Sequence, residues 1–188
     1  MVPILALGVL FLMFGGKRRP KVAAIEDAKE SVNVSNHEET QTYDDEPYAD
    51  KLGDAIGAPY WYGQGTPSTP WADIWKGVDC SGSVLMASVR VGIIPATWPD
   101  MSAAAIADAC DPIPVGSQMP GDIAIYPGHV MFVYSYPRAE QGGHSAVWGA
   151  RGGDSHTHGD NPNAYVGVYS SAKYNPSFVT YGRWKRAT

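Results

Sequence analysis

The sequence predicts an α+β fold in which an N-terminal helical lobe precedes an antiparallel β-sheet. Helical spacing dominates from about residue 48 to 110, strand signals take over from about residue 122, and the two are not interleaved. Glycine and proline are abundant, at 21 and 15 of 188 residues, which suits a loop-rich, strand-containing chain better than a helical bundle. Hydrophobic residues make up 44% of the chain and aromatics 11%, enough for a substantial core. A net charge of -5 and a pI near 5.4 leave no basic face, so a nucleic-acid partner is not expected.

Three segments follow in order. Residues 1–19 open with an apolar run from Val2 to Phe14, then Gly15-Gly16 and the basic cluster Lys17, Arg18 and Arg19. A run of about 13 apolar residues is short of the ~20 that span a bilayer comfortably, and it predicts a short hydrophobic helix serving as a membrane anchor or signal-like segment. A signal peptide carries its charges ahead of the apolar stretch, whereas here they follow it, so an anchor fits better than secretion after signal cleavage. The positive-inside rule then sets the following domain on the interior face. Residues 20–49 are acidic, with Glu26, Asp27, Glu30, Glu38, Glu39, Asp44, Asp45 and Glu46 and almost no large apolar side chain. Such a stretch cannot bury enough surface to offset its conformational entropy and reads as a flexible linker with a reach of roughly 30 Å. Residues 50–188 hold most of the aromatics and nearly every residue capable of chemistry.

Within that third segment, Tyr48 to Ile56 reads as a first helix closed by Gly57. Cys80 to Val91 carries apolar residues at Val84, Leu85, Ala87 and Val91, a helical spacing, with Gly92 as its stop. Ser102 to Cys110 is an Ala-rich helix ended by Asp111-Pro112. Five strand signals come next, "DIAIY", "HVMFVYS", "SAVWGA", "YVGVYS" and "SFVTYGRW", separated by Gly, Pro and Asn turns.

The chemistry centres on one of only two cysteines. Asp79-Cys80-Ser81-Gly82 places Cys80 in the first turn of its helix, where unpaired N–H groups and the helix dipole favour a thiolate. Gly82 and Ser83 are expected to leave space beside the sulfur for a substrate backbone. Cys110 reads as a small buried residue, and a Cys80–Cys110 disulfide, which would silence the thiol, is not expected. A cysteine nucleophile needs a base within reach and a group to orient that base. Of the five histidines, His37 lies in the linker, while His129 opens the strand "HVMFVYS" directly after a Pro-Gly turn and so points at an end of the sheet.

"GVDCSGSVLMASVRVGI", followed by "MPGDIAIYPGHVMFVYS" and preceded by "GAPYWYGQG", resembles the NlpC-type cell-wall cysteine peptidases, and the closing "VTYGRW" resembles their last strand. The resemblance covers about Asp50 to Arg186. It implies a papain-like fold with the nucleophile-bearing helix packed on the antiparallel sheet, and no metal or cofactor. Cys80 would be the nucleophile and His129 the base, with the Tyr60 hydroxyl at the oxyanion site and Asp79, Ser81 and Gly82 shaping that region. The implied substrate is the stem peptide of peptidoglycan, cut between D-glutamate and diaminopimelate or lysine. Trp61 and Trp71, flanking the Tyr60 loop, are candidates to line a groove for it.

One departure stands out. Where the family carries a histidine that orients the base, this sequence has Gly149, within "AVWGARGG". His144 is a poor substitute, because hairpin pairing whose residue numbers sum to about 280 leaves it at the turn end, roughly 20 Å from His129. The loop "GGDSHTHGDN" offers Asp154, His156 and His158, with His156 preferred as third member. Arg151 can donate but not accept, so it cannot orient the base in the usual way. Asp154, His156, His158 and Asp160 have a suggestive metal-ligand spacing but no second cluster. Expected partners are stem peptides, a membrane through the N-terminal segment, and other virion proteins if the chain belongs to a bacteriophage particle. Its placement is then a virion membrane or a bacterial envelope. An amidase or acyltransferase of the same fold, and a catalytically idle wall-binding or structural virion domain, are the competing readings.

Overall fold

The computed structural model describes residues 46–174 and 179–185. The anchor expected over residues 1–19 and the linker up to residue 45 lie outside them. Among the described residues no helix is long and apolar enough to cross a membrane.

Helix α1 (Ala49–Leu52) runs into a 3-10 turn, Gly53–Ala55, and a second 3-10 helix spans Trp71–Lys76. The central helix α2 (Cys80–Arg90) and the short α3 (Ala103–Asp108) complete the helical lobe. The six strands are β1 (Cys110–Ile113), β2 (Ile123–Tyr126), β3 (His129–Val133), β4 (Ala146–Arg151), β5 (Tyr165–Ser170) and β6 (Thr180–Trp184), with α4 (Ser171–Tyr174) between the last two. They form one sheet in the order β1-β6-β2-β3-β4-β5, every neighbouring pair antiparallel.

Both ends of α2 are written locally. Asp79 caps its start, and its last turn closes on Gly92 at φ +85, with Ile93 N–H bonded to the Ser88 carbonyl and Gly92 N–H to that of Val89. This paired closure needs a residue that tolerates positive φ, and glycine supplies it. The apolar stripe understates the burial: Val84, Leu85, Met86 and Ala87 are all buried, because α2 lies between β3 and β4 on one side and the other helices on the other.

Strand β3 alternates between two apolar clusters. Val130, Phe132 and Tyr134 face the helices with Leu52, Leu85 and Trp148, while Met131 and Val133 face a smaller cluster with Val147 and Tyr181. A central strand buried on both faces has no polar alternation, hence the continuous "HVMFVY". The β3–β4 register is Phe132↔Trp148 and Val133↔Val147, as the hairpin arithmetic required.

The Ala-rich spacing predicts a third helix running to Cys110 and no strand there. The helix instead ends at Asp108, and Cys110–Ile113 pairs with β6 as the edge strand β1. Pro112 is compatible with that strand only because it sits at an edge, where its missing N–H breaks no second ladder. The opposite edge is covered by the chain itself. Gly57 N–H bonds to the Val166 carbonyl, Val166 N–H to that of Ala58, and Tyr60 N–H to that of Ala164, which lays residues 57–60 along β5.

Asp122, buried just ahead of β2, accepts a forked pair of bonds from Arg183 on β6, Nε to Oδ1 and Nη2 to Oδ2, both 2.8 Å. Its Oδ2 also accepts from Met119 N–H at 2.7 Å. Removing the guanidinium leaves a buried carboxylate half-satisfied. We expect Arg183→Ala to lower stability by about 2 kcal/mol, read by urea unfolding, with Arg183→Lys recovering only part because it cannot make the forked pair.

Candidate active site

Cys80 is the first residue of α2, and everything around it follows from how that helix begins. The Asp79 side chain accepts from Gly82 N–H (2.7 Å) and Ser81 Oγ (2.9 Å) through Oδ1, and from Gly63 N–H (2.9 Å) through Oδ2. One carboxylate therefore caps the helix and ties down the loop that carries Tyr60. Asp79 N–H bonds to the Gln64 carbonyl, Trp61 N–H to that of Val78, and Val78 N–H to that of Pro59, so residues 59–64 run beside 78–79.

Gly82 plays a part different from the one expected of it. A Cβ there would lie 2.2 Å from the Gln64 carbonyl oxygen and 2.9 Å from Gly65 Cα. The space beside Gly82 is filled by the chain's own backbone, not left open for substrate. Gly65, at φ +91, completes the seam, since a Cβ on it would meet Val78 Cγ2 at 2.6 Å and Gly82 Cα at 3.1 Å.

The open volume lies on the other side of the sulfur. A cavity of about 570 Å³ is lined by Tyr60, Tyr62, Asp79, Cys80, Ser81 and His129, with Met101–Ala104 and Gly153–Ser155 closing its sides. Structure thus brings together Cys80, His129, Tyr60, Asp79 and Ser81. His129 arrives as the first residue of β3, paired with Tyr126 across the two-residue turn Pro127-Gly128, with Gly128 at φ +70. Tyr60 is held through its backbone on both sides, and its ring lies against Gly153, where a Cβ would sit 2.2 Å from it.

The electrostatics of the pair run against a resting thiolate. Burial pushes the Cys80 thiol above its ordinary value and the Asp79 carboxylate adds to this, while N–H groups of Val130, Ser81 and Cys80 pull the other way without prevailing. The helix-mouth effect expected from sequence is therefore outweighed. Burial also lowers His129 to about 4, so at neutral pH thiol and imidazole are both uncharged. Tyr60 is raised, first by burial and then by Cys80 and Asp79, which keeps its hydroxyl a donor.

The structure does not bring His156 to His129. Its side chain is 91% exposed, Nδ1 lies 3.3 Å from Ser155 Oγ, and its backbone N–H bonds to Asp154. His129 Nε2, by contrast, is buried and has no hydrogen-bond partner among the described residues. The loop does return over the cavity, but with Gly153, Asp154 and Ser155; the Asx-type turn at Asp154 directs His156 to solvent. His158 packs edge-on against Trp61, ring centroids 5.7 Å apart, and His144 bonds to the Tyr181 hydroxyl at 3.0 Å. Among the described residues no three His, Cys, Asp or Glu side chains cluster closely enough to hold a metal ion.

Trp71 does not line the groove: it stacks on Trp148 at 6.1 Å and donates to Asp54. The aromatic walls of the cavity are Tyr60 and Tyr62. Position 149 faces α2, where a Cβ would meet Ser83 Oγ at 3.2 Å. That hydroxyl accepts from Ala150 N–H and donates to the Cys80 carbonyl, locking β4 to the nucleophile's helix. Ser83, expected with Gly82 to leave space for substrate, instead ties β4 to α2; Gly65 and Gly153 carry no local signal that singles them out, because their roles are contacts between distant segments.

No protein-family model matches the sequence, and no curated protein does. Among solved structures, the chain is similar to a lipoprotein-like protein of the NLP/P60 family from Staphylococcus aureus, with 18% identity over 82% of this chain and a TM-score of 0.47. The chain spans 45% of that protein's length. It is also similar to the peptidoglycan hydrolase RipB of Mycobacterium tuberculosis, with 17% identity over 88% of this chain and 87% of the other, and a TM-score of 0.46.

Asp79→Asn is expected to keep the cap toward Gly82 while removing the negative charge beside the sulfur. The thiol pKa should fall, read as a shift to lower pH in the alkylation rate of Cys80 by iodoacetamide. Asp79→Ala should also cost about 1 kcal/mol of stability through loss of the cap.

Proposed function

We propose that the chain is an NlpC-type cysteine peptidase that hydrolyses stem-peptide amide bonds of peptidoglycan. The observation that carries this reading is a single cavity holding the thiol of a capped helix N-terminus, a histidine on the adjoining strand and a protonated tyrosine hydroxyl. The motifs around Cys80, His129 and Tyr60 support the same assignment from sequence.

Because both groups rest uncharged, His129 acts as a general base: it accepts the thiol proton as Sγ attacks the scissile carbonyl. The oxyanion then takes hydrogen bonds from Cys80 N–H and the Tyr60 hydroxyl. Collapse breaks the C–N bond, His129 returns the proton to the leaving amine, and water hydrolyses the thioester with His129 again as base. Asp79 shapes the site through the cap, and Ser81 borders the cavity.

The decisive comparison is Cys80→Ala against wild type on purified sacculi, where the wild type alone should release soluble muropeptides. Equal release would end the peptidase reading, and mass spectrometry of the products identifies the bond, separating a peptidase from an amidase or acyltransferase. Tyr60→Phe is expected to slow release about 100- to 1,000-fold. An idle wall-binding domain is the second reading, favoured by His129 Nε2 having no acceptor among the described residues; it requires binding to sacculi without release. The apolar segment and its basic flank support a membrane tether, in a virion membrane or a bacterial envelope, and an intact N-terminus in purified particles or membranes would establish it.

The pH dependence follows from the lowered imidazole. Protonated His129 cannot accept the thiol proton, so activity should fall as pH drops through about 4, and not near the ordinary 6.5. Stability moves in the same sense, because the unfolded chain binds a proton on this histidine below about 6.5 while the folded chain resists it down to about 4. Thermal unfolding should show Tm rising with pH across that window, with a smaller rise in His129→Gln.

A further inference from the structure

Among the described residues no acceptor meets His129 Nε2, yet the ring is closely packed. Two rings pack against it, and two further side chains back them. Tyr126 of β2, its cross-strand partner, has its ring centroid 6.1 Å away at 49°. Tyr174, the last residue of α4, lies 5.4 Å away with its ring tilted 34° to the imidazole, and meets Tyr126 edge-on at 5.0 Å and 77°. Tyr169 of β5 stands 6.4 Å behind Tyr174, and Arg151 of β4 lies over the Tyr169 ring at 4.1 Å.

The segment that delivers Tyr174 is itself pinned. Ser171 is buried; its N–H and Oγ both donate to the Ser145 carbonyl, at 3.1 and 2.6 Å, and its Oγ lies 2.7 Å from the Tyr181 hydroxyl. Helix α4 is thereby anchored to the residue just ahead of β4 and to β6, only three residues before Tyr174.

We infer that Tyr174 is a positioning residue for His129: its ring and that of Tyr126, braced edge-on against each other, clamp the imidazole by tilted ring contacts in place of a hydrogen-bonding third member. Both rings lie within the roughly 4.5–7 Å centroid range of interacting aromatic pairs, so together they favour one imidazole orientation over its alternatives. The clamp also keeps water from His129 Nε2, in keeping with an uncharged base. The charged and titratable groups facing it are Cys80 from α2, Arg151 from β4, and Tyr126 and Tyr169 from β2 and β5. Arg151 sits over Tyr169, and the carboxylates that share the cavity with His129 are Asp79, Asp100 and Asp154.

This inference rests on reading His129 as the base, and its test has an arm that needs no turnover. With histidine ring nuclei labelled in a Cys80→Ala background, the NMR titration of His129 should stay near pH 4 in Tyr174→Phe and move toward 6.5 in Tyr174→Leu. On sacculi, Tyr174→Phe should release muropeptides within about twofold of wild type, while Tyr174→Leu should be slowed about ten- to hundredfold, its acid limb moving to higher pH. Tyr174→Met fills similar space without a ring face and substitutes if the leucine variant unfolds. An unchanged His129 titration in the leucine or methionine variant would overturn the clamp. So would a Phe variant as impaired as Leu, which would make the hydroxyl the working group. If wild type releases nothing from sacculi, the peptidase reading fails, and the titration alone decides whether the clamp exists.

Discussion

The contact on which the site depends is between two glycine backbones. Gly82 in the first turn of α2 and Gly65 in the Tyr60 loop meet closer than any Cβ would permit. That approach lets Asp79 reach Gly63 N–H while it caps its own helix, so one carboxylate fixes two segments sixteen residues apart. Tyr60 and Cys80 share a cavity because those segments are pressed together. The cost falls on the thiol, which must sit beside the same buried negative charge.

A site built this way trades resting reactivity for order. A thiolate–imidazolium pair would need polar solvation, whereas here burial disfavours the charged form of both partners. The N–H groups converging on the sulfur are weaker in the resting state than they become once charge develops, which is when stabilisation accelerates a reaction. Low water access around the base and positioning by packing belong to the same strategy.

What the sequence disclosed and what it withheld divide along a physical line. The start and stop of α2, the placement of Cys80 and His129 and the β3–β4 register were all legible, since each depends on residues close in the chain or on simple pairing. Strand β1 was hidden because Asp111-Pro112 is a sound helix stop, and only its position at the sheet edge reveals the strand. The preference for His156 failed to anticipate the turn at Asp154, which sends one side chain into the cavity wall and the next to solvent. Gly82 was read as a gap for substrate because a missing side chain looks the same from sequence whether ligand or backbone fills the space. Tyr174 was invisible, for its position depends on how β5 ends and how Ser171 docks.

The pairing of residues 57–60 along β5 has a consequence beyond the cavity. A six-stranded sheet has two open ladders, and each invites another chain to add a strand. Here one border strand is four residues long and interrupted by Pro112, and the other is occupied by the segment that leads into Tyr60. The hydrogen bonds that hold an oxyanion donor in place thus also deny neighbouring molecules a template, so colloidal behaviour and site geometry are coupled through one stretch of backbone. Loosening that stretch would endanger both at once.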